Sequence, residues 1–172
     1  MDADDVIRFV SGLPETVVMT ADEAGGAPEA AWGDSFFFHA PDGEEADQRF
    51  PFATLVVSDY DGFDTASALN RPGVFALNID VGRTGFHQCL GYPPAAHAEH
   101  HARIDYTAAD RILPHPVYAA QGWIRILNPG EATGELARSL LRAAHARAAG
   151  RRRARRPDSG EHPGGPQAAA PR

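Results

Sequence analysis

No apolar run in this chain is long: Phe52-Ala53-Thr54-Leu55-Val56-Val57, among the longest, is six residues, and glycine, proline or aspartate interrupts the chain soon after each such run. Runs of this length are the size of strands and far too short to span a bilayer as a helix. Thr16–Thr20, Trp32–Phe38, Phe52–Val57, Val74–Val81 and Trp123–Leu127 each carry the β-branched or aromatic residues of a strand, which predicts a sheet of about five strands. Asp42-Gly43, Asp61-Gly62, Pro72-Gly73 and Pro129-Gly130 supply turn chemistry between them.

Helical spacing is confined to other segments. Asp2 can cap a helix carrying Val6, Ile7, Phe9, Val10 and Leu13, ended by Gly12 and Pro14. Shorter helices are expected over Arg83–Leu90, closed by Gly91, and over Asp105–Leu113, with a helical turn over Thr65–Leu69. The longest is expected over residues 131–149, capped by Thr133, with Leu136, Leu140 and Leu141 as its apolar stripe. Successive strands with helices at both ends imply an α+β domain: an antiparallel sheet covered by helices mainly on one face, with a long C-terminal helix.

Residues 1–149 carry a net charge of −11 and residues 150–172 a net +4. The first segment reads as one folded domain. The second, Arg151–Arg156 followed by Pro, Gly, Ser and Ala, cannot bury enough surface to offset its ordering entropy and is expected to be disordered. The polar stretch 40–49 reads as an exposed loop. An acidic body argues against nucleic-acid binding by the folded part, leaving Arg151–Arg156 as the candidate contact with phosphates. The acidic start Met1-Asp2-Ala3-Asp4-Asp5 lacks the basic-then-apolar pattern of an export signal, so a cytoplasmic protein is expected, with no membrane partner. All sixteen basic residues besides histidine are arginine, which excludes lysine Schiff-base chemistry and the P-loop lysine. The single Cys89 excludes an intramolecular disulfide and any multi-cysteine zinc site, and reads as a small buried apolar residue.

Four of the eight histidines fall between positions 97 and 115. If residues 95–102 are helical, His97, His100 and His101 stand at i, i+3 and i+4 on one face. With His115 they could supply nitrogens to a divalent metal, His97, His101 and His115 being the candidate ligands and Glu99 or Asp105 an oxygen donor. The alternative is a set of partly exposed rings bonded to backbone. His97-Ala98-Glu99 matches the His-x-Glu of zinc deaminases but lacks the Cys-x-x-Cys partner, and no nucleophile elbow, Walker or dinucleotide motif is present. Asp34 interrupts an aromatic strand, so it must face solvent or find a partner; Arg71 or a histidine is the expected one. Trp32, Phe36, Phe38, Tyr118 and Trp123 are candidate pocket-lining or core aromatics.

The blocks Ala30–Phe37, Pro51–Thr54, Gly62–Thr65, Phe75–Ile79, Gly91–Pro94, His97–His101 and Leu113–Trp123, with Asn128–Glu131, together resemble an uncharacterised actinobacterial family, the domain of unknown function 6194. That resemblance covers nearly all of residues 1–149 and implies no activity, substrate or cofactor. In architecture alone the end of the domain also resembles MmcQ/YjbR-type domains: a histidine-bearing turn, a strand with Trp123, an acidic loop and a terminal amphipathic helix. Many of those are described as DNA-binding and carry an Asn-Lys pair before the tryptophan. Here Ala119-Ala120-Gln121-Gly122 stands in that place, so the likeness implies the fold and not the DNA role. Three readings follow: a ligand-binding or interaction module with candidate residues Trp32, Asp34, His97, His101, His115, Tyr118 and Trp123; a metal- or histidine-dependent enzyme using the His97–His115 cluster; and nucleic-acid association through the tail.

Overall fold

A computed structural model describes residues 1–41 and 50–155, with the backbone alone for residues 152–155. Most of the 40–49 loop, and the tail from residue 156, lie outside the described residues. Six strands form one antiparallel sheet in the order β1-β2-β3-β4-β6-β5: β1 (Thr16–Thr20), β2 (Ser35–His39), β3 (Ala53–Val56), β4 (Ala76–Asp80), β5 (Leu113–Pro114) and β6 (Trp123–Leu127). Four helices accompany it: α1 (Ala3–Ser11), α2 (Gly82–Leu90), α3 (His97–His100) and α4 (Gly134–Arg155). The α+β expectation holds, with one strand more than the five expected.

Residues two apart on a strand share a face, and the registers sort the side chains accordingly. Leu77 lies opposite Leu55 and Ile126, and Ile79 opposite Ala53 and Ile124. With Phe37 these make the apolar face of the sheet, and Val6 and Val10 of α1 and Ala137, Leu141 and Ala144 of α4 join them in one core. Asp2 starts α1 by a reciprocal cap: its carboxylate accepts the Asp5 N–H at 2.8 Å while the Asp5 carboxylate accepts its own. The stripe of α4 differs from the expected one. Leu136 is 44% exposed and the small residues Ala137 and Ala144 face inward, letting the helix approach the sheet closely.

The opposite face carries Thr54, Asn78 and Arg125 side by side, Asn78 being opposite both other residues. The loop between β3 and β4 lies over it. Leu69 packs on Ala76 and Leu127. The expected helical turn at 65–69 is an irregular, tethered loop: Asp59 accepts the Leu69 N–H at 2.8 Å, and Arg71 donates to the carbonyls of Ala68 and Ser67.

Three further expectations are corrected. The second strand begins at Ser35, because Trp32-Gly33-Asp34 turn into it with Gly33 at φ +89°. The helix expected over Asp105–Leu113 does not form. Asp105 takes the Thr107 N–H and hydroxyl at 3.0 and 2.6 Å, and the Asp110 N–H goes to the Leu127 carbonyl, so local and cross-chain bonds replace helical ones. Thr133 does not cap α4 by its own oxygen; its hydroxyl donates to Asp110, whose carboxylate also accepts the N–H groups of Gly130, Ala132 and Thr133. Those bonds hold the Asp110 carboxyl well below the usual carboxylate range, the Thr133 hydroxyl first among them. In addition, α4 runs past residue 149 to Arg155, and Arg147 and Arg151 both reach Asp80 at 2.7 and 2.9 Å.

Truncating Ile126, fully buried in the core, to alanine should cost about 2–5 kcal/mol in urea unfolding. Leu136→Ala on the exposed side of α4 should stay within about 0.5 kcal/mol of the parent.

Candidate functional site

A charged residue in the middle of Trp123-Ile124-Arg125-Ile126-Leu127 must find partners or stay in water. Arg125 is 1% exposed and every one of its N–H groups has a neighbour. Nε donates to Asn78 Oδ1 at 2.8 Å, and Asn78 in turn donates to the Thr54 hydroxyl at 3.0 Å. Nη1 donates to Ser67 Oγ at 2.8 Å and Asp64 Oδ1 at 3.2 Å. Nη2 donates to Asp64 Oδ2 at 2.6 Å and faces His115 Nε2 at 3.2 Å. The two-pronged pairing with Asp64 fits the planar guanidinium to the planar carboxylate, the geometry in which such a pair best offsets its desolvation.

His115 closes this network. Its Nδ1 accepts the N–H groups of Val117 and Tyr118, each at 3.1 Å. Donors therefore stand at both ring nitrogens. A neutral ring offers one lone pair to them and a protonated ring none. Burial, and secondarily the Arg125 charge, push its pKa down to about 2.

Above His115 stands a shelf of rings. Tyr118 lies 4.9 Å from His115, 6.0 Å from Phe63 and 6.4 Å from Trp123, between ring centres. Phe63 is 57% and Tyr118 40% exposed, and Trp123 is half-buried. The expected aromatics Tyr118 and Trp123 thus come together with His115. Trp32 makes ring contact with none of them among the described residues; its indole donates to the Ala27 carbonyl at 2.9 Å.

Asp34 is fully buried, and its partners are neither Arg71 nor a histidine. One carboxylate oxygen accepts the Val57 N–H at 2.8 Å and the other the Tyr60 hydroxyl at 2.5 Å. Burial raises the Asp34 pKa, against the pull of those two bonds. Burial also pushes the Tyr60 hydroxyl up, with the Asp34 bond adding to it. The pair pins the start of the β3–β4 loop to the turn before β2.

The histidine segment is helical in short pieces, a 3-10 turn over Pro94–Ala96, then α3, then a second 3-10 turn over His101–Arg103. Its rings gather around tyrosines. The Tyr106 hydroxyl lies 2.9 Å from His101 Nδ1 and 3.3 Å from His97 Nε2, and the Tyr92 hydroxyl 3.4 Å from His97 Nδ1. Tyr92 stacks on His100, ring centres 3.8 Å apart. Burial lowers the His97 pKa, and the neighbouring His101 and His100 lower it further. Burial raises the Tyr106 pKa to about 12. So His97 and His101 come together while His115 belongs to the Arg125 network. The expected three-nitrogen metal site is not formed: among the described residues no group of three histidine, cysteine, aspartate or glutamate side chains is placed to hold a metal ion. The physical reason is that the His115 nitrogens already face N–H donors, and both His97 nitrogens and His101 Nδ1 face tyrosine hydroxyls.

Asp64 stands in the acidic group Asp34, Asp59, Asp61 and Asp64, for which the sequence suggests turn formation and solvation; it pairs instead with Arg125, and Ser67, Asn78 and Arg125 were not among the residues singled out by sequence reasoning. The signal for Arg125 was legible, a charge within an apolar strand, the same argument that singled out Asp34. His115 apart, which is 10 residues away, its partners lie 47 to 61 residues away along the chain, which no spacing rule connects.

The fold and this network define an α+β architecture in which a polar-anchored loop lies over one face of the sheet. The chain belongs to the Family of unknown function (DUF6194), whose model matches residues 1–157. No curated protein matches it. No solved structure matches it either, so the MmcQ/YjbR likeness rests on the sequence pattern alone. Among the described residues no helix is long and apolar enough to cross a membrane.

Arg125→Ala, which strands the Asp64 carboxylate, should cost about 3–5 kcal/mol, and adding Asp64→Ala should recover part of that loss in a double-mutant cycle. His115 gives a pH signature. Its pKa near 2 in the folded protein lies below the roughly 6.5 of an unfolded histidine, so below pH 6.5 the unfolded chain binds the extra proton. This contribution is therefore neutral above about pH 6.5 and lowers stability by about 1.4 kcal/mol per pH unit below it. Urea unfolding at pH 6.5, 6.0, 5.5 and 5.0 should show that slope reduced by about this amount in His115→Gln.

Proposed function

We propose that this chain is a binding domain that takes a planar ligand on the aromatic shelf of Phe63, Tyr118 and Trp123. The observation that carries this reading is that exposed rings stand on a buried floor: Tyr118 and Trp123 flank buried His115, whose ring lies against Arg125, while Phe63 and Tyr118 keep much of their surface in solvent. Aromatic side chains lose little conformational entropy on binding, and rings already fixed lose less.

The same geometry favours binding over histidine-dependent catalysis at His115. A general base needs a lone pair directed at substrate. Both His115 nitrogens face donors inside the protein, and Arg125 spends its N–H groups on internal partners. For the tail, Arg151 is engaged with Asp80, which removes one cation of the arginine run from the phosphate contact expected of it.

A test uses the Trp32→Phe variant, in which Trp123 is the remaining tryptophan and its fluorescence reports on the shelf. Titration with quinoxaline, a neutral planar probe, should give a saturable change that Tyr118→Ala weakens about tenfold, equivalent to roughly 1.4 kcal/mol. A non-saturable response, or one indifferent to Tyr118→Ala and Phe63→Ala, refutes the shelf.

A further inference from the structure

Beside the histidine segment runs a groove of about 340 Å3, at the lower end of the range that ligand sites occupy, about 300–1,000 Å3. Its floor is apolar, made by Leu90, Ile104, Ile112 and Leu113, and one wall is the stacked pair Tyr92 and His100. Arg103 and Arg111 also line it. Both are exposed, and neither makes a hydrogen bond or an ion pair with another described residue. Among the other arginines with described side chains, Arg8, Arg125, Arg138 and Arg147 pair with carboxylates, Arg71 donates to carbonyls and Arg142 lies over the Phe9 ring, while Arg83 is exposed like the two in the groove.

The lining holds one acid, Asp105. Its Oδ1 is taken up by the N–H and hydroxyl of Thr107, and that bonding, with smaller contributions from the charges of Arg111 and Arg71, lowers its pKa. One carboxylate facing two lining arginines leaves the groove net positive, within a body whose net charge over residues 1–149 is −11. Two guanidinium forks above an apolar floor and beside a stacked ring pair match a molecule with an oxyanion at one end and a planar or apolar body at the other.

We propose that this groove is a binding site for a small organic oxyanion, a phosphate or carboxylate carried on an aromatic or aliphatic body, with Arg103 and Arg111 holding the charge. The site shares no residue with the aromatic shelf, so it stands or falls apart from the reading above. It also gives the histidine segment a role other than metal binding: α3 and the turn after it place His100 and Arg103 on the groove.

The test is a nitrogen-15 NMR titration of the full chain with phenyl phosphate and with benzoate, the neutral benzyl alcohol being the control, at fixed ionic strength. Saturable shifts at the amides of Tyr92, His100, Ile104 and Leu113 with either anion support the site, and the better of the two identifies the head group. In the Arg103→Ala/Arg111→Ala double variant the affinity should fall at least tenfold. Both side chains are exposed, so the thermal midpoint of that variant should stay near the parent's. Tyr118→Ala should leave the anion affinity unchanged. Absence of saturation with both anions overturns the proposal. So does equal binding of benzyl alcohol, or an affinity that the double variant retains.

Discussion

A buried guanidinium is costly to desolvate, and the arrangement of one whole face of this sheet answers that cost at Arg125. The effective penalty for burying an ion is several kcal/mol, which a single surface-type pair does not offset. Here Asn78 on the neighbouring strand, Asp64 and Ser67 on the covering loop and His115 beside β5 all turn toward one side chain. From the loop between β3 and β4, Leu69 packs on Ala76 and Leu127, and polar bonds from Asp64 and Ser67 to Arg125 tie the loop to the sheet. The two faces are thus held by different physics: α1 and α4 by apolar burial, the loop by a charge with nowhere else to go.

Histidine chemistry in this chain divides along the same line. His115 is kept neutral by a closed environment with donors on both sides, and serves as the lid of the Arg125 network. His97 and His101 sit around the Tyr106 hydroxyl. His100 stacks on Tyr92 at the edge of a positively charged groove. Proximity in sequence had suggested one shared site. The rings of the segment instead gather around Tyr92 and Tyr106, while His115, on a separate turn after β5, faces Arg125.

Much of the architecture was legible before any coordinates. The strands at Thr16–Thr20 and Trp123–Leu127 and the helices opening at residue 3 and near residue 82 lie where alternation, capping and glycine placed them. The misreadings share a cause. At Asp105 and Asp110 short polar side chains divert backbone groups into turns, and at Trp32–Asp34 the positive φ of Gly33 turns the chain; periodicity registers neither. The two-residue β5 is too short to carry any pattern and exists because β6 offers it an edge.

The sequence by itself determined the class of the fold, the helix capped by Asp2, and the presence of two charges, Asp34 and Arg125, that apolar strands cannot bury unpartnered. Those properties depend on short-range pattern and on the cost of burying a charge, both of which are written locally. Tertiary structure alone decided who the partners are: Tyr60 and the Val57 N–H for Asp34, and Asn78, Asp64, Ser67 and His115 for Arg125. It likewise decided that Arg103 and Arg111 border a common groove while His97 and His115 do not share a site. Hydrogen bonds act over about 3 Å of space whatever the separation along the chain, so a partner dozens of residues distant is fixed only when strand register and loop path bring it within reach.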